Sequence, residues 1–439
     1  MLALNNSGSR GDWVPVVKIF VPFDAPLYMN GAHPLVDSYT RAEYEGLDIS
    51  FCRSFTKPDR AAGYRAGTDL LEKLFAICDD LSMDDWQAWP TVYNLIWSRR
   101  PDIQARIPIS CDLVYHHTVP YSLDNRDFIL HIETVSQIFQ PFISQGTNHN
   151  CELIDHYAFH FVRLLLESDR CRRIFTNLNF TLGQIETVFG SKKITNKTSY
   201  IAPSAYLSSD SIDNCNVKFG INEEIKILFT NSLHDDSKGF YLRGGLHILL
   251  AVLELSAEHK KVSLVIRSSV PPQIKNSELW DLIQRNPKIQ WIEDHLSESA
   301  LINLYREADI FFLYSNAVHS LSILRSMAMG LVVIGSDVPG VDEYITDGID
   351  GFIVRGQRDL VCKLDSSTGW IFDDYSEFMD EIQSGGMPRG YEYVKVLISS
   401  LLNDPAIIKD ISRNAINTAL NRFGRFDSLS QFANMVKSL

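Results

Sequence analysis

Positive charge is scarce in this sequence. Its 41 Lys and Arg stand against 54 Asp and Glu in 439 residues, a formal charge of -13, and such a balance repels nucleic-acid backbones and anionic lipid. Nucleic-acid coating and polybasic membrane-surface roles are therefore disfavoured. Long apolar runs are missing too: none approaches the roughly eighteen residues of a bilayer span, and MLALNNSGSRGDW has no basic region leading into an apolar stretch. A soluble, cytoplasmic protein is expected. The seven cysteines (Cys52, Cys78, Cys111, Cys151, Cys171, Cys215 and Cys362) are scattered and include no CxxC pair, which suits a reducing compartment rather than a disulfide scaffold. With no HExxH spacing either, no metal site is expected. Gly at 24 and Pro at 17 are ordinary counts and exclude collagenous and low-complexity chains.

What is present is rhythm. Short apolar runs alternate with longer helical patterns, the mark of parallel sheets built from strand-helix-strand units. Strands are expected at 16–22, 47–52, 112–115, 128–132, 173–176 and 199–202, then at 225–230, 262–267, 289–292, 310–314, 331–335 and 351–355. Helices are expected over 69–80 and 154–168. In the second half Leu296, Ala300, Leu301, Leu304, Tyr305 and Ala308 repeat at helical spacing, as do Leu246, Leu249, Leu250 and Leu253. A polar stretch over 203–222 divides the two halves. The expected organisation is a first domain over 1–212, a linker over 213–222, a second domain over 223–423 with an insertion near 356–392, and a terminal helix over 424–439. That insertion carries Trp370, Phe372 and Tyr375, an acceptor platform or an oligomer contact.

Where a parallel strand meets the next helix, backbone N–H groups and the positive helix end form an anion site at the sheet's carboxyl edge. After 225–230 comes NSLHDDSKGFYLRGG, in which Lys238 or Arg243 could offset phosphate charge and glycines allow close approach. A solvated loop also fits, since no Walker or GxGxxG spacing occurs. After 310–314 comes SNAVHSLSILRSMAMG, where Ser320 can cap a helix ending at Gly330 and His319 sits at its mouth. After 331–335 comes SDVPGVDEYITDGIDGFIV, with a turn at Pro339–Gly340 and Glu343 opening a helix.

Together, LSESALINLYREADIFFLYSN and SMAMGLVVIGSDVPGVDEYITDGIDGFIV resemble the donor-binding domain of the group 1 (family 4) nucleotide-sugar glycosyltransferases. RGGLHILLAVLEL resembles that family's phosphate loop, with Arg243 in the place of a lysine. The resemblance is close over about 225–354 and implies the α/β GT-B fold, two Rossmann-like domains facing across a cleft, with the terminal helix crossing back to the first. It implies a nucleotide-sugar donor as substrate rather than a cofactor, a glycan or other hydroxyl acceptor, metal-independent transfer with retained configuration, and a part in polysaccharide or glycan synthesis. By resemblance the donor's base lies near Asp294 and His295, its ribose near Glu343, and its phosphates near Arg243, Ser320 and the helix mouth.

One departure stands out. The family's two glutamates, eight positions apart at that mouth, are Ala317 and Arg325 here, and no glutamate occurs between Glu307 and Glu343. Either the donor is held differently, with His319, Ser320 and Arg325 taking part, or the chain is a non-catalytic partner of another transferase; a sugar-nucleotide epimerase or hydrolase on the same architecture is a further alternative. On the acceptor side, DLVYHHTVPY places His116 and His117 in a loop at a sheet edge, where one histidine could serve as general base and the other would point away. Glu133 ends the next strand and is either a ligand or a helix-cap partner. Gly31 could allow close ligand approach or form an ordinary turn.

Overall fold

A computed structural model describes residues 16–22, 34–51, 67–98, 107–118, 120, 126–140, 142–204, 224–231, 238–258, 261–294, 296–404 and 406–439. The expected linker, Gly31 and His295 lie outside the described residues. Two six-stranded parallel sheets carry the chain. The first takes the order β2-β1-β3-β4-β5-β6 from Val17–Val21, Leu47–Phe51, Leu113–His117, Phe128–Ile132, Cys171–Thr176 and Thr198–Tyr200. The second takes the order β12-β11-β10-β7-β8-β9 from Ile225–Thr230, Val262–Arg267, Ile289–Ile292, Ile310–Leu313, Val332–Ser336 and Phe352–Val354. In each, the chain reverses winding direction beside its first strand, and at such a switch point the carboxyl edge opens into a crevice.

Apolar runs make these strands because both faces are covered. Every residue of β4, β10 and β11 is buried. Alternation sorts the first sheet's side chains between two cores: Val114, Phe128, Leu130 and Ile132 meet one face, while Leu113, Tyr115, Ile129 and Phe175 meet the other. The helix Arg425–Lys437 covers that second face, burying Phe432 and Val436 against Tyr39, Tyr115 and Phe175.

Three local expectations need correction. The strand expected over 112–115 runs on to His117, because its pairing with β4 continues to His131, so both histidines are strand residues. Glu343 does not open a helix but closes the short turn Val341–Glu343. Ser320 is the first residue of the helix Ser320–Ala328, and the cap position falls to His319, which makes no side-chain cap bond.

The insertion folds into an antiparallel hairpin, β13 (Cys362–Leu364) and β14 (Ile371–Asp373), followed by the helix Ser376–Gln383. It crosses to the first domain. Trp370 and Phe372 are buried in that domain's core beside Phe139 and His149, which removes both from the role of exposed platform. Asp365 accepts from His149 Nε2 and from the Leu153 amide, each at 2.9 Å.

Candidate functional site

Beside the switch point of the second sheet, Arg267 ends β8 and donates from Nη1 to the Asn231 carbonyl, just after β7, at 2.7 Å. Arg243 lies in the same neighbourhood. Burial presses its guanidinium below the ordinary value, Tyr305 counteracts, and Arg267 adds a repulsion of like charge. The next residue, Gly244, has φ of +82° and sits so close to β10 that a Cβ would stand 2.8 Å from the Tyr314 carbonyl oxygen, a conformation and approach that glycine alone accommodates. Two guanidinia at one sheet edge, one half-buried and one buried, suit a diphosphate. Lys238 is exposed where the helix Lys238–Leu242 starts, and Asp294 is exposed at a bend beyond β9.

The loop after β10 is pinned from below. Ser336 Oγ donates to the Ser315 carbonyl at 2.5 Å, and His319 Nε2 pairs with Ser315 Oγ at 3.0 Å. Ala317 and Val318 are left facing the space between the domains. Arg325 is not available there, since its guanidinium meets Glu298 at 2.8 Å.

Glu343 also has a different part from the expected ribose contact. Its carboxylate caps the first-domain helix Asn179–Phe189, accepting from the amides of Asn179 and Phe180 at 2.7 Å each and from Asn179 Nδ2 at 3.0 Å. A carboxylate on a helix N-terminus is electrostatically favoured, and here it crosses the domain boundary. Beside it the Tyr344 hydroxyl donates to the Asn177 carbonyl at 2.8 Å and bonds to the buried Ser320 side chain.

In the first domain His116 points into the core against Phe128, 1% exposed, and burial holds its pKa down to about 3. That position excludes it from the cleft. His117 takes the opposite face, its ring 5.0 Å from that of His131. His131 is itself fixed, Nδ1 to the Tyr115 hydroxyl at 2.7 Å and Nε2 to Asn177 Oδ1 at 2.6 Å. The following residue, Thr118, holds φ of +72°, costly for a β-branched residue and of a kind that clusters at functional sites. Glu133 is half-buried after β4, its carboxylate 3.5 Å from Gln137 Nε2.

Between the two sheet edges lies a cleft. Its walls are Thr134–Ser136 and Leu178, Phe180, Thr181 and Gln184 from the first domain, Asn316–Val318 and Val338–Pro339 from the second, and Cys362, Ile371 and Asp373 from the hairpin. The void is about 500 Å³ and opens to solvent. Asp373 was not singled out by sequence pattern; only its alternation with the buried Phe372 could have signalled it.

Residues 225–366, about a third of the chain, match the family model described as Glycosyl transferases group 1. The chain carries a group 1 glycosyltransferase domain. No curated protein matches the chain in sequence. Solved structures share the architecture at low identity. HepE of Anabaena, in complex with UDP-glucose, is 12% identical with a TM-score of 0.53, covering 96% of this chain and 100% of its own. A glycosyltransferase from Rickettsia africae is 15% identical at 0.52, covering 97% and 100%. Sucrose-phosphate synthase of Thermosynechococcus elongatus is 12% identical at 0.54, covering 97% and 98%. The fold is GT-B, and the cleft described above lies between the carboxyl edges of its two sheets.

Proposed function

We propose that this glycosyltransferase moves a sugar from a nucleotide-sugar donor to a hydroxyl acceptor in polysaccharide or glycan synthesis. The observation that carries the reading is the pair of guanidinia, half-buried Arg243 and buried Arg267, brought together at the carboxyl edge of the glycosyltransferase domain's sheet. A nucleoside diphosphate placed there meets cationic charge without a metal ion, and the mouth of the helix Ser320–Ala328, with His319 and Ser320, adds its positive end. The base lies toward the exposed bend at Asp294. UDP-glucose, bound by HepE, makes uridine diphosphate sugars the first donors to try. On the acceptor side His117 is the candidate general base, with Glu133 beside it in the adjacent strand's loop. Closure of the two domains around the donor would exclude water, which otherwise competes as acceptor. Glu343 is not assigned to the ribose, because its carboxylate is engaged by the first domain.

Melting temperature against UDP, GDP and ADP and their hexose conjugates tests the reading. A ligand at a hundred times its dissociation constant adds about 2.7 kcal/mol, and Arg243→Ala should remove most of that shift. A wild-type chain that responds to no nucleotide would overturn the reading in favour of a non-catalytic partner subunit.

A further inference from the structure

We infer that Asp373, on the inserted hairpin, is a sugar-binding residue of the interdomain cleft whose carboxylate accepts hydrogen bonds from hydroxyls of the transferred sugar. This rests on the function proposed above and extends it to the insertion. Alternation along β14 supplies the first argument. Trp370 and Phe372 point into the first domain's core, so Ile371 and Asp373 point the other way, and both line the cleft.

The second argument is the carboxylate's surroundings. Asp373 Oδ2 accepts from Gln145 Nε2 of the first domain at 3.2 Å and from the Tyr375 hydroxyl at 3.3 Å, while among the described residues Oδ1 accepts nothing. Tyr375 also bonds to the Asn316 side chain in the loop after β10. Its own position is set by a close backbone approach: its amide donates to the Gly146 carbonyl at 3.0 Å, and a Cβ on Gly146, at φ of +80°, would stand 2.1 Å from its ring. The acceptor is thus held from both domains, in a cleft where Ala317 and Val318 offer no polar side chain.

Asp373 is half-buried and keeps one carboxylate oxygen open to the cleft, where a neutral hydroxyl can donate to it. Burial raises the Asp373 pKa above its ordinary value, against the bonds from Gln145 and Tyr375. Phosphate cannot be the missing partner, since like charges repel, whereas sugar hydroxyls are neutral donors in the required geometry. A carboxylate brought in by the insertion supplies the polar group that the loop at Ala317 lacks.

The test compares, by calorimetry on the full chain, the nucleoside diphosphate and the hexose conjugate that most raise the wild-type melting temperature. Asp373→Asn should bind the diphosphate as wild type does and lose about ten- to hundredfold of the extra affinity for the conjugate. Gln145→Ala, which removes one of the two donors that position the Asp373 carboxylate, should lose a smaller part of the same extra affinity and leave diphosphate binding unchanged. An unchanged increment in Asp373→Asn, or an equal loss for diphosphate and conjugate, overturns the assignment while leaving nucleotide binding intact. A wild-type chain that binds no nucleotide overturns the parent reading and this one with it. Should Asp373→Asn not fold, Asp373→Glu keeps the charge and moves the acceptor by one methylene; it should change the ranking of hexose conjugates, and an unchanged ranking sinks the idea.

Discussion

His116 and His117 are chain neighbours with opposite surroundings, and the difference is measurable. Burial, reinforced by Arg170, holds His116 neutral with a pKa near about 3, whereas an unfolded histidine titrates near about 6.5. Between those values only the unfolded chain takes up the proton, so stability is lost as pH falls from 6.5 toward 3. His247, lowered to about 4 by burial, acts in the same direction. Among the described residues His116 Nδ1 has no hydrogen-bond partner, and leucine keeps an apolar side chain against Phe128. His116→Leu should melt close to wild type at pH 7 and be more stable than wild type at pH 5, on the order of 2 kcal/mol. An equal loss of stability with acid in both proteins would show that another group controls it.

Among the elements, the hairpin β13–β14 is unusual in belonging by sequence to one domain and by packing to the other. Ile371 accepts no distant strand; its amide is taken by Gln184 Oε1 of the first domain at 2.8 Å, and Trp370 is 2% exposed among first-domain aromatics. Trp370→Ala should therefore cost about 3–5 kcal/mol through the cavity it leaves, read as a fall in denaturant midpoint. The loss should appear in the unfolding of the first domain, although residue 370 follows the second domain's strands in the chain. Trp370→Phe should cost much less, because among the described residues the indole Nε1 has no partner to lose. A wild-type midpoint in Trp370→Ala would contradict the buried placement.

Across the whole molecule, ties among the described residues join the domains: Glu343 and Tyr344 on the helix Asn179–Phe189, Leu178 in the second domain's core, the hairpin, and the terminal helix on the first sheet. That helix also ties its own end, with the Ser428 hydroxyl donating to the Ala202 carbonyl at 2.6 Å and Arg172 reaching the Leu439 carbonyl at 3.0 Å. A chain ended after Phe423 would expose Tyr39, Tyr115 and Phe175 to water. It should melt at a lower temperature and bind an apolar dye that the full chain does not. Unchanged melting in that truncated chain would mean that the helix only decorates the sheet.

Much of this organisation is present in the chain itself. β4, β7, β8 and β9 occupy the residues at which their apolar runs stand, and β4, buried along its whole length, shows the reason most plainly: a strand covered on both faces needs an apolar run. The terminal helix announces itself by Phe432, Met435 and Val436 on one face, and the loops at carboxyl edges follow from strand-helix order alone. What the linear order could not disclose is which partner meets each side chain. Glu343 looked free for a ribose until the fold brought Asn179, 164 positions upstream, against it; Arg325 looked free until Glu298 lay alongside; Asp373 looked like one acid in an acidic insertion until the hairpin turned it into the cleft that Ala317 lines. Periodicity fixes which face of an element is apolar. Only tertiary packing decides which polar groups are satisfied by the protein and which remain for a ligand, because hydrogen bonds and ion pairs act over a few ångströms of space, whatever the separation along the chain.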